Sequence, residues 1–151
     1  KIAIYTDKSD YTEIVFISAQ TGEIIKRVVK GERSADLESL HSFVSGMSFS
    51  PDGDGMVFVA KSDGKPTLML YDLRKDKIYK RKQFDFYNIV SPMWSPDGGK
   101  IAFAALKGHK RDIYVYHIDS DVIEQVTDDA VCGHLENGGV RILVNGHDEL
   151  G

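Results

Sequence analysis

Residues 95–105 read Ser-Pro-Asp-Gly-Gly-Lys-Ile-Ala-Phe-Ala-Ala, a tight turn followed by a short apolar run. Pro96 presets φ for the first turn position, Asp97 can hydrogen-bond to the backbone ahead of it, and Gly98 accepts the left-handed conformation that closes such a turn. A second apolar run, Asp-Ile-Tyr-Val-Tyr-His-Ile-Asp, follows at residues 112–119. Both runs are apolar at most positions on both faces, which predicts two strands that are covered on both sides.

The same pattern occurs 45 residues earlier in the chain. When residues 50–78 are laid on residues 95–123 without a gap, 10 of the 29 positions are identical, including the whole Ser-Pro-Asp-Gly turn. An internal repeat of about 40 to 45 residues is typical of propeller blades with four strands each. The sequence therefore predicts an all-β chain, a β-propeller built of four-stranded antiparallel blades.

The repeat divides the chain into blade units at about residues 1–30, 42–82 and 88–127, with a degenerate unit at 130–151. The first unit begins in mid-blade, because residues 1–5 align with residues 100–104. We expect one partial propeller domain over residues 1–151, with about three and a half blades and an extended loop at 30–41. Closed propellers usually have about four to eight blades. We therefore interpret the chain as a fragment whose missing blades come from a longer chain or from a second copy.

Composition narrows the classes of function. The formal charge of −4 and the pI near 5.7 argue against a dedicated nucleic-acid binder, because such binding needs a basic surface. Cys132 is the only cysteine, so an intrachain disulfide is impossible. No apolar run approaches the roughly 18 residues of a membrane span, so membrane insertion is not expected.

The repeat resembles that of TolB-like β-propellers, on the strength of Pro-Met-Trp-Ser-Pro-Asp-Gly-Gly-Lys-Ile-Ala-Phe-Ala at 92–104 and the motifs at 112–116 and 125–127. Similar WD-like blades occur in the propellers of dipeptidyl-peptidase-like and tricorn-type proteases. The resemblance covers about residues 1–129. It implies that the Ser-Pro-Asp-Gly turns share one face, that partners dock on the opposite face, and that the protein resides in the cell envelope or periplasm. Loops at 61–66 and 107–111 would build that opposite face.

The resemblance implies a non-catalytic scaffold that binds protein or peptide partners through its loops. The alternative is the substrate-gating propeller of a serine peptidase whose catalytic domain lies outside this chain. A third possibility is an arc that completes its propeller by self-association. Residues 46–50, Gly-Met-Ser-Phe-Ser, come nearest to the Gly-x-Ser-x-Gly nucleophile elbow and fail at the last position. We therefore expect no catalytic residue in this chain.

Two patterns resemble metal sites only superficially. Cys132 and His134 are spaced to share one face of a strand, but no second pair of ligands accompanies them. Residues 52–55, Asp-Gly-Asp-Gly, resemble a calcium loop, yet Met56 and Val57 follow where a ligand and a glycine are needed. We expect a turn there, and neither a metal nor a cofactor in this chain.

The segment at 83–88, Gln-Phe-Asp-Phe-Tyr-Asn, places aromatic residues between two blades and near a basic loop of the next blade. Aromatic residues combined with arginine are typical of binding hot spots. The opposing interpretation is that Phe84 and Phe86 cover the blade ends and Tyr87 alone meets solvent. The predicted partner-binding residues are Phe86, Tyr87, Lys107, His109, Lys110 and Arg111.

Basic runs fall on the predicted outermost strands, at residues 26–30 and 77–82. Lysine on an unpaired strand edge prevents pairing with other chains, and we expect that role in preference to polyanion or membrane-surface binding. Trp94 takes the place of Phe49 in the repeat, so we expect it in the core.

Overall fold

The three sheets of this computed structural model follow one another along the chain, and the structure describes residues 2–8, 11–30 and 46–128. The described strands are β1 (Ile2–Lys8), β2 (Tyr11–Ile17), β3 (Ile24–Lys30), β4 (Met47–Phe49), β5 (Gly55–Ser62), β6 (Lys65–Asp72), β7 (Lys77–Gln83), β8 (Asn88–Trp94), β9 (Lys100–Lys107), β10 (Lys110–His117) and β11 (Val122–Gln125). Each strand pairs antiparallel with its neighbour in sequence, in the sheets β1-β2-β3, β4-β5-β6-β7 and β8-β9-β10-β11. We call these sheets blade 1, blade 2 and blade 3.

The sequence repeat is also a repeat in strand register. Phe58 lies opposite Met69 in blade 2, and Phe103 lies opposite Tyr114 at the equivalent position of blade 3. Residues 31–41 of the expected loop and the degenerate unit expected at 130–151 fall outside the described residues.

The connections between β5 and β6 and between β9 and β10 are tighter than the sequence suggested. The loop expected at 61–66 is wrong in extent, because Lys61 pairs with Pro66 and Ser62 with Lys65. Asp63 and Gly64 remain as a two-residue turn, with φ of 51° and 73°. Positive φ at both central residues matches the right-handed twist of the flanking strands. The loop expected at 107–111 is shortened in the same way, since Lys107 pairs with Lys110.

Blade 2 contributes to two hydrophobic cores because its strands alternate between faces. One face meets blade 1 in a cluster that includes Phe16 and Phe58. The other face meets blade 3 in a cluster that includes Leu70, Phe103 and Tyr116. Since both faces are covered, β5 and β6 are apolar at consecutive positions, as buried strands should be.

Ion pairs between blades recur at an aspartate that the repeat places equivalently, Asp76 in blade 2 and Asp121 in blade 3. In blade 2 the Tyr71 hydroxyl donates to Asp76, and Lys26 Nζ of blade 1 lies 2.8 Å from Asp76 Oδ1. In blade 3 the Tyr116 hydroxyl donates to Asp121 Oδ1 at 2.5 Å, and Lys82 Nζ of blade 2 lies 2.6 Å from Asp121 Oδ2.

Three of the lysines expected to protect an outer strand edge also make contacts between blades, which the sequence did not predict. Lys80 Nζ donates to the Ile118 carbonyl at 2.5 Å, and Lys82 joins Asp121, so both lysines reach across to blade 3. Lys26 reaches Asp76 of blade 2 in the same way. The sheet pairing explains this direction, because Lys80 and Lys82 stand opposite Leu70 and Leu68, which also face blade 3.

The blades present two faces to solvent at the ends of their strands. The Ser-Pro-Asp-Gly turns lie beside the turns that follow β6 and β10, since the Leu73 N–H donates to Asp54 O at 2.8 Å and the Ile118 N–H to Gly99 O at 3.0 Å. We call this end the turn face. The hairpins at 63–64 and 108–109 and the connection at 84–87 lie at the other strand ends, which we call the hairpin face.

Candidate partner-binding surfaces

The connection between blades 2 and 3, residues 84–87, carries three aromatic side chains. Phe84 and Phe86 are packed against blade 3, and Tyr87 is exposed. The Phe84 ring lies 5.5 Å from Phe103, and the Phe86 ring 4.6 Å from Tyr114, measured between centroids. Tyr87 is 76% exposed, and its N–H donates to Leu106 O at 2.8 Å. Phe86 therefore lies mainly beneath the surface, while the Tyr87 side chain is exposed on a backbone anchored to β9.

The β9–β10 hairpin lies beside Tyr87, because Asn88 pairs with Leu106 and Arg111 pairs with Leu106 on its other side. The hairpin's polar side chains are exposed. Lys110 Nζ lies 3.3 Å from Asp128 Oδ1, with both side chains more than half exposed. Five of the six predicted residues thus share one surface, which we call the hairpin patch: Tyr87, Lys107, His109, Lys110 and Arg111. Their role in binding stays a prediction.

The other sequence-level candidates are used in the fold or lie outside the described residues. Ser48 Oγ accepts the Trp94 N–H at 3.2 Å and so joins the adjacent strands β4 and β8. Within the described ranges, no three His, Cys, Asp or Glu side chains come close enough together to hold a metal ion. Cys132 and His134 are not among the described residues. Nothing described forms a helix of the length and hydrophobicity needed to cross a membrane.

Each Ser-Pro-Asp-Gly turn satisfies its own polar groups. The Ser95 hydroxyl donates to Asp97 Oδ1 at 2.6 Å and accepts the Lys100 N–H at 2.9 Å. Ser50 makes the equivalent bonds with Asp52 and Gly55. These serine hydroxyls, together with backbone N–H donors, hold the pKa of Asp52 and of Asp97 below the usual range. Both turn aspartates therefore stay ionised at neutral pH.

A groove of about 470 Å³ lies between blades 2 and 3 on the turn face. Tyr79 and Trp94 form aromatic walls, and the polar lining includes five aspartates. We call it the acidic groove and define it by six of its lining residues: Asp52, Asp72, Tyr79, Trp94, Asp97 and Asp119. Sequence reasoning missed it, because it assigned Trp94 to the core and the aspartates to separate turns.

The Trp94 side chain packs against the core between blades 2 and 3 and also lines this groove. Its indole N–H donates to the Gly98 carbonyl at 2.9 Å, and its ring packs at the edge of the core between blades 2 and 3. The ring also passes close to Gly55, where an added Cβ would lie 3.2 Å from Trp94 Cη2 and 3.0 Å from Ser50 Oγ. Gly55 thus allows the indole to lie against the turn of the neighbouring blade.

Gly55→Ala is expected to displace Trp94 and to destabilise the chain by about 1–3 kcal/mol, the usual cost of overpacking a tight site. Trp94 is the only tryptophan, so its emission maximum reports the displacement directly. Gly99→Ala is the matched control, because a Cβ there would meet only Asp97 Oδ1, at 3.6 Å. Unchanged emission and melting temperature in Gly55→Ala would show that the contact is not restrictive.

The chain is similar in sequence to curated TolB proteins. No protein-family model matches the sequence. The Tol-Pal system protein TolB of Anaeromyxobacter dehalogenans strain 2CP-1 is 27% identical over 109 residues, which are 72% of this chain. The match covers 25% of that relative, so the chain spans about a quarter of its length.

Solved structures show the same fold. TolB from Acinetobacter baumannii superposes with a TM-score of 0.67 at 23% identity, over 85% of this chain and 29% of its own. A putative TolB from Agrobacterium tumefaciens gives 0.63 at 21% identity, over 85% and 42%. The predictions of a TolB-like repeat and of an all-β propeller with four-stranded antiparallel blades are confirmed.

Proposed function

We propose that this chain is part of a non-catalytic TolB-like scaffold in the cell envelope or periplasm, which binds a protein or peptide partner through the hairpin patch. The observation that carries the proposal is the setting of Tyr87. Its side chain is 76% exposed, its backbone is anchored by the hydrogen bond to Leu106, and exposed basic side chains border it. Tyrosine and arginine are enriched among residues that dominate binding energy.

Rigidity is what such a scaffold contributes to binding. Phe84 and Phe86 anchor the connection in the core between blades 2 and 3, while β9 and β10 fix the hairpin. Little conformational entropy is then lost when a partner docks, so more of the contact energy appears as affinity. The basic side chains favour an acidic segment on the partner. The overall charge of −4 favours a protein over a nucleic acid.

Tyr87→Ala combined with Arg111→Ala should reduce capture of the partner about tenfold, because two hot-spot side chains are lost together. The measurement is a quantitative pull-down from an envelope extract of the source organism, with the captured proteins identified by mass spectrometry. Ile25→Ala with Arg74→Ala is the control. It removes an exposed apolar side chain and an exposed arginine from the turn face, outside the lining of the acidic groove, where the two side chains are 52% and 77% exposed.

The two variants separate the possible outcomes. Retained capture in the turn-face variant and lost capture in the patch variant, with equal melting temperatures, would support the hairpin patch. Equal capture by the patch variant and the unmodified chain would refute it. The complete gene tests the alternative function, since a peptidase gate requires a hydrolase domain with a Gly-x-Ser-x-Gly elbow. Gel filtration tests self-association, which predicts elution at twice the mass of 16.8 kDa.

A further inference from the structure

The turn face carries a second candidate site, on the opposite end of the blades from the hairpin patch. We infer that the acidic groove binds a cationic side chain, an arginine on an exposed peptide segment of a protein partner. Its volume of about 470 Å³ falls within the usual range of ligand pockets, about 300–1,000 Å³, so a whole arginine side chain can enter.

The lining has the chemistry that a guanidinium group requires. Tyr79 is 48% exposed and Trp94 is half-buried, so both aromatic rings remain available to a ligand. Carboxylates of Asp52, Asp72 and Asp97 come from three different turns around them, and none of the described lining residues is cationic. Two cations next to the groove pair with lining carboxylates, since Arg74 contacts Asp54 and Lys75 Nζ lies 3.9 Å from Asp72 Oδ2. Aromatic faces attract cations, and a planar guanidinium can stack on a ring while it donates to carboxylates.

The negative charge of the groove persists at neutral pH. Backbone N–H donors at Lys75 and Arg74 hold the pKa of Asp72 below its usual range. Burial, with the carboxylates of Asp72 and Asp52, raises the pKa of Tyr79. The field of the turn aspartates therefore reaches the aromatic wall, where a bound cation would lie.

The equivalent groove one blade earlier shows that blade packing does not require this chemistry. The groove between blades 1 and 2, of about 510 Å³, has Ile25 and Phe49 at the positions of Tyr79 and Trp94. It also has Arg74 at the position of Asp119. The same backbone thus tolerates an apolar wall and a basic rim, so the acidic and aromatic lining is particular to the groove between blades 2 and 3.

The aromatic walls favour an organic cation over a metal ion. Within the part of the chain that the structure describes, no three carboxylates converge closely enough to ligate one ion. The Asp52 and Asp97 carboxylates already accept hydrogen bonds from their own turns. They would contribute charge and outer contacts to an arginine side chain that is stacked on Trp94 or Tyr79.

Trp94, the single tryptophan, makes the site directly measurable. The probe is a capped tri-arginine peptide, titrated at low salt while Trp94 emission is recorded. Tri-citrulline, which has the same shape without the charge, is the matched control peptide. We expect a saturable change with tri-arginine, none with tri-citrulline, and several-fold weaker binding between about 20 and about 200 mM salt, because exposed charges are screened.

Two substitutions taken from the equivalent groove test the assignment without disturbing the fold. Asp119→Arg should weaken tri-arginine binding by at least about tenfold, since attraction at the rim becomes repulsion. Tyr79→Ile should also weaken it, because one aromatic wall is lost. Asp85→Arg makes the same charge change at a 94% exposed position on the hairpin face and should alter affinity by less than about twofold.

The inference is overturned if tri-citrulline produces the same change as tri-arginine. It is equally overturned if Asp119→Arg and Asp85→Arg weaken binding alike, or if both leave it unchanged. Tyr87→Ala with Arg111→Ala should leave the titration as it is. The pull-down and the titration therefore test the two binding proposals separately, and either proposal can be refuted without the other.

Discussion

Phe103→Ala is expected to lower the melting temperature of the chain by roughly 10 °C. The Phe103 ring is fully buried between blades 2 and 3 and lies 5.5 Å from Phe84 and 6.1 Å from Tyr114, measured between centroids. Truncating such a side chain removes its transfer energy and leaves a cavity, at a cost of about 3–5 kcal/mol. In a chain of this length each kcal/mol corresponds to roughly 2–4 °C.

Circular dichroism melts measure this loss, with urea unfolding as the independent estimate of the free energy. Tyr87→Ala is the control, since it truncates an aromatic side chain that is 76% exposed and should change stability by less than about 0.5 kcal/mol. A Phe103→Ala melt no lower than that of Tyr87→Ala would mean that the core between blades 2 and 3 does not limit stability.

Asp121→Gly is expected to lower the melting temperature by several degrees, although it relieves backbone strain. Asp121 has φ of 58°, a conformation that glycine adopts more easily. The substitution removes the partner of Lys82 and of the buried Tyr116 hydroxyl. A buried hydroxyl left without a partner costs about 1–3 kcal/mol. Asp63→Gly is the matched control, because Asp63 has φ of 51° in an exposed hairpin and should not lose stability.

The same position predicts how stability depends on pH. Hydrogen bonds from Lys82 and Tyr116 lower the pKa of Asp121 below its ordinary value of 3.8. The folded chain therefore binds this proton less readily than the unfolded chain, so the stabilisation is complete above the ordinary pKa and is lost as the pH falls through the lowered one. Wild type should exceed Asp121→Asn in melting temperature at pH 7, and the difference should close below about pH 3.8. A difference that is constant with pH would contradict the ionic contribution.

The two candidate surfaces differ in how well they can be predicted from the sequence. Tyr87 and the basic residues of 107–111 can be predicted together, because a connection between blades must run beside the next hairpin. The burial of Phe86 cannot be predicted as directly, since Phe84, Phe86 and Tyr87 have similar hydrophobicity and only packing decides which ring reaches Tyr114. The acidic groove is harder still, because its residues are scattered from Ser50 to Asp119.

Local chemistry is enough to define the blade. Ser95, Asp97 and Gly98 specify their turn through hydrogen bonds between near neighbours and through one left-handed residue, and the 45-residue period repeats that unit. The contacts between two blades are not determined by neighbouring residues in this way. From the sequence, Lys80 and Lys82 are expected to protect an unpaired strand edge. In the structure they donate to the Ile118 carbonyl and the Asp121 carboxylate, which are 38 and 39 residues away. Such contacts depend on the face that each strand turns toward the next sheet, and that orientation arises only when the sheets pack.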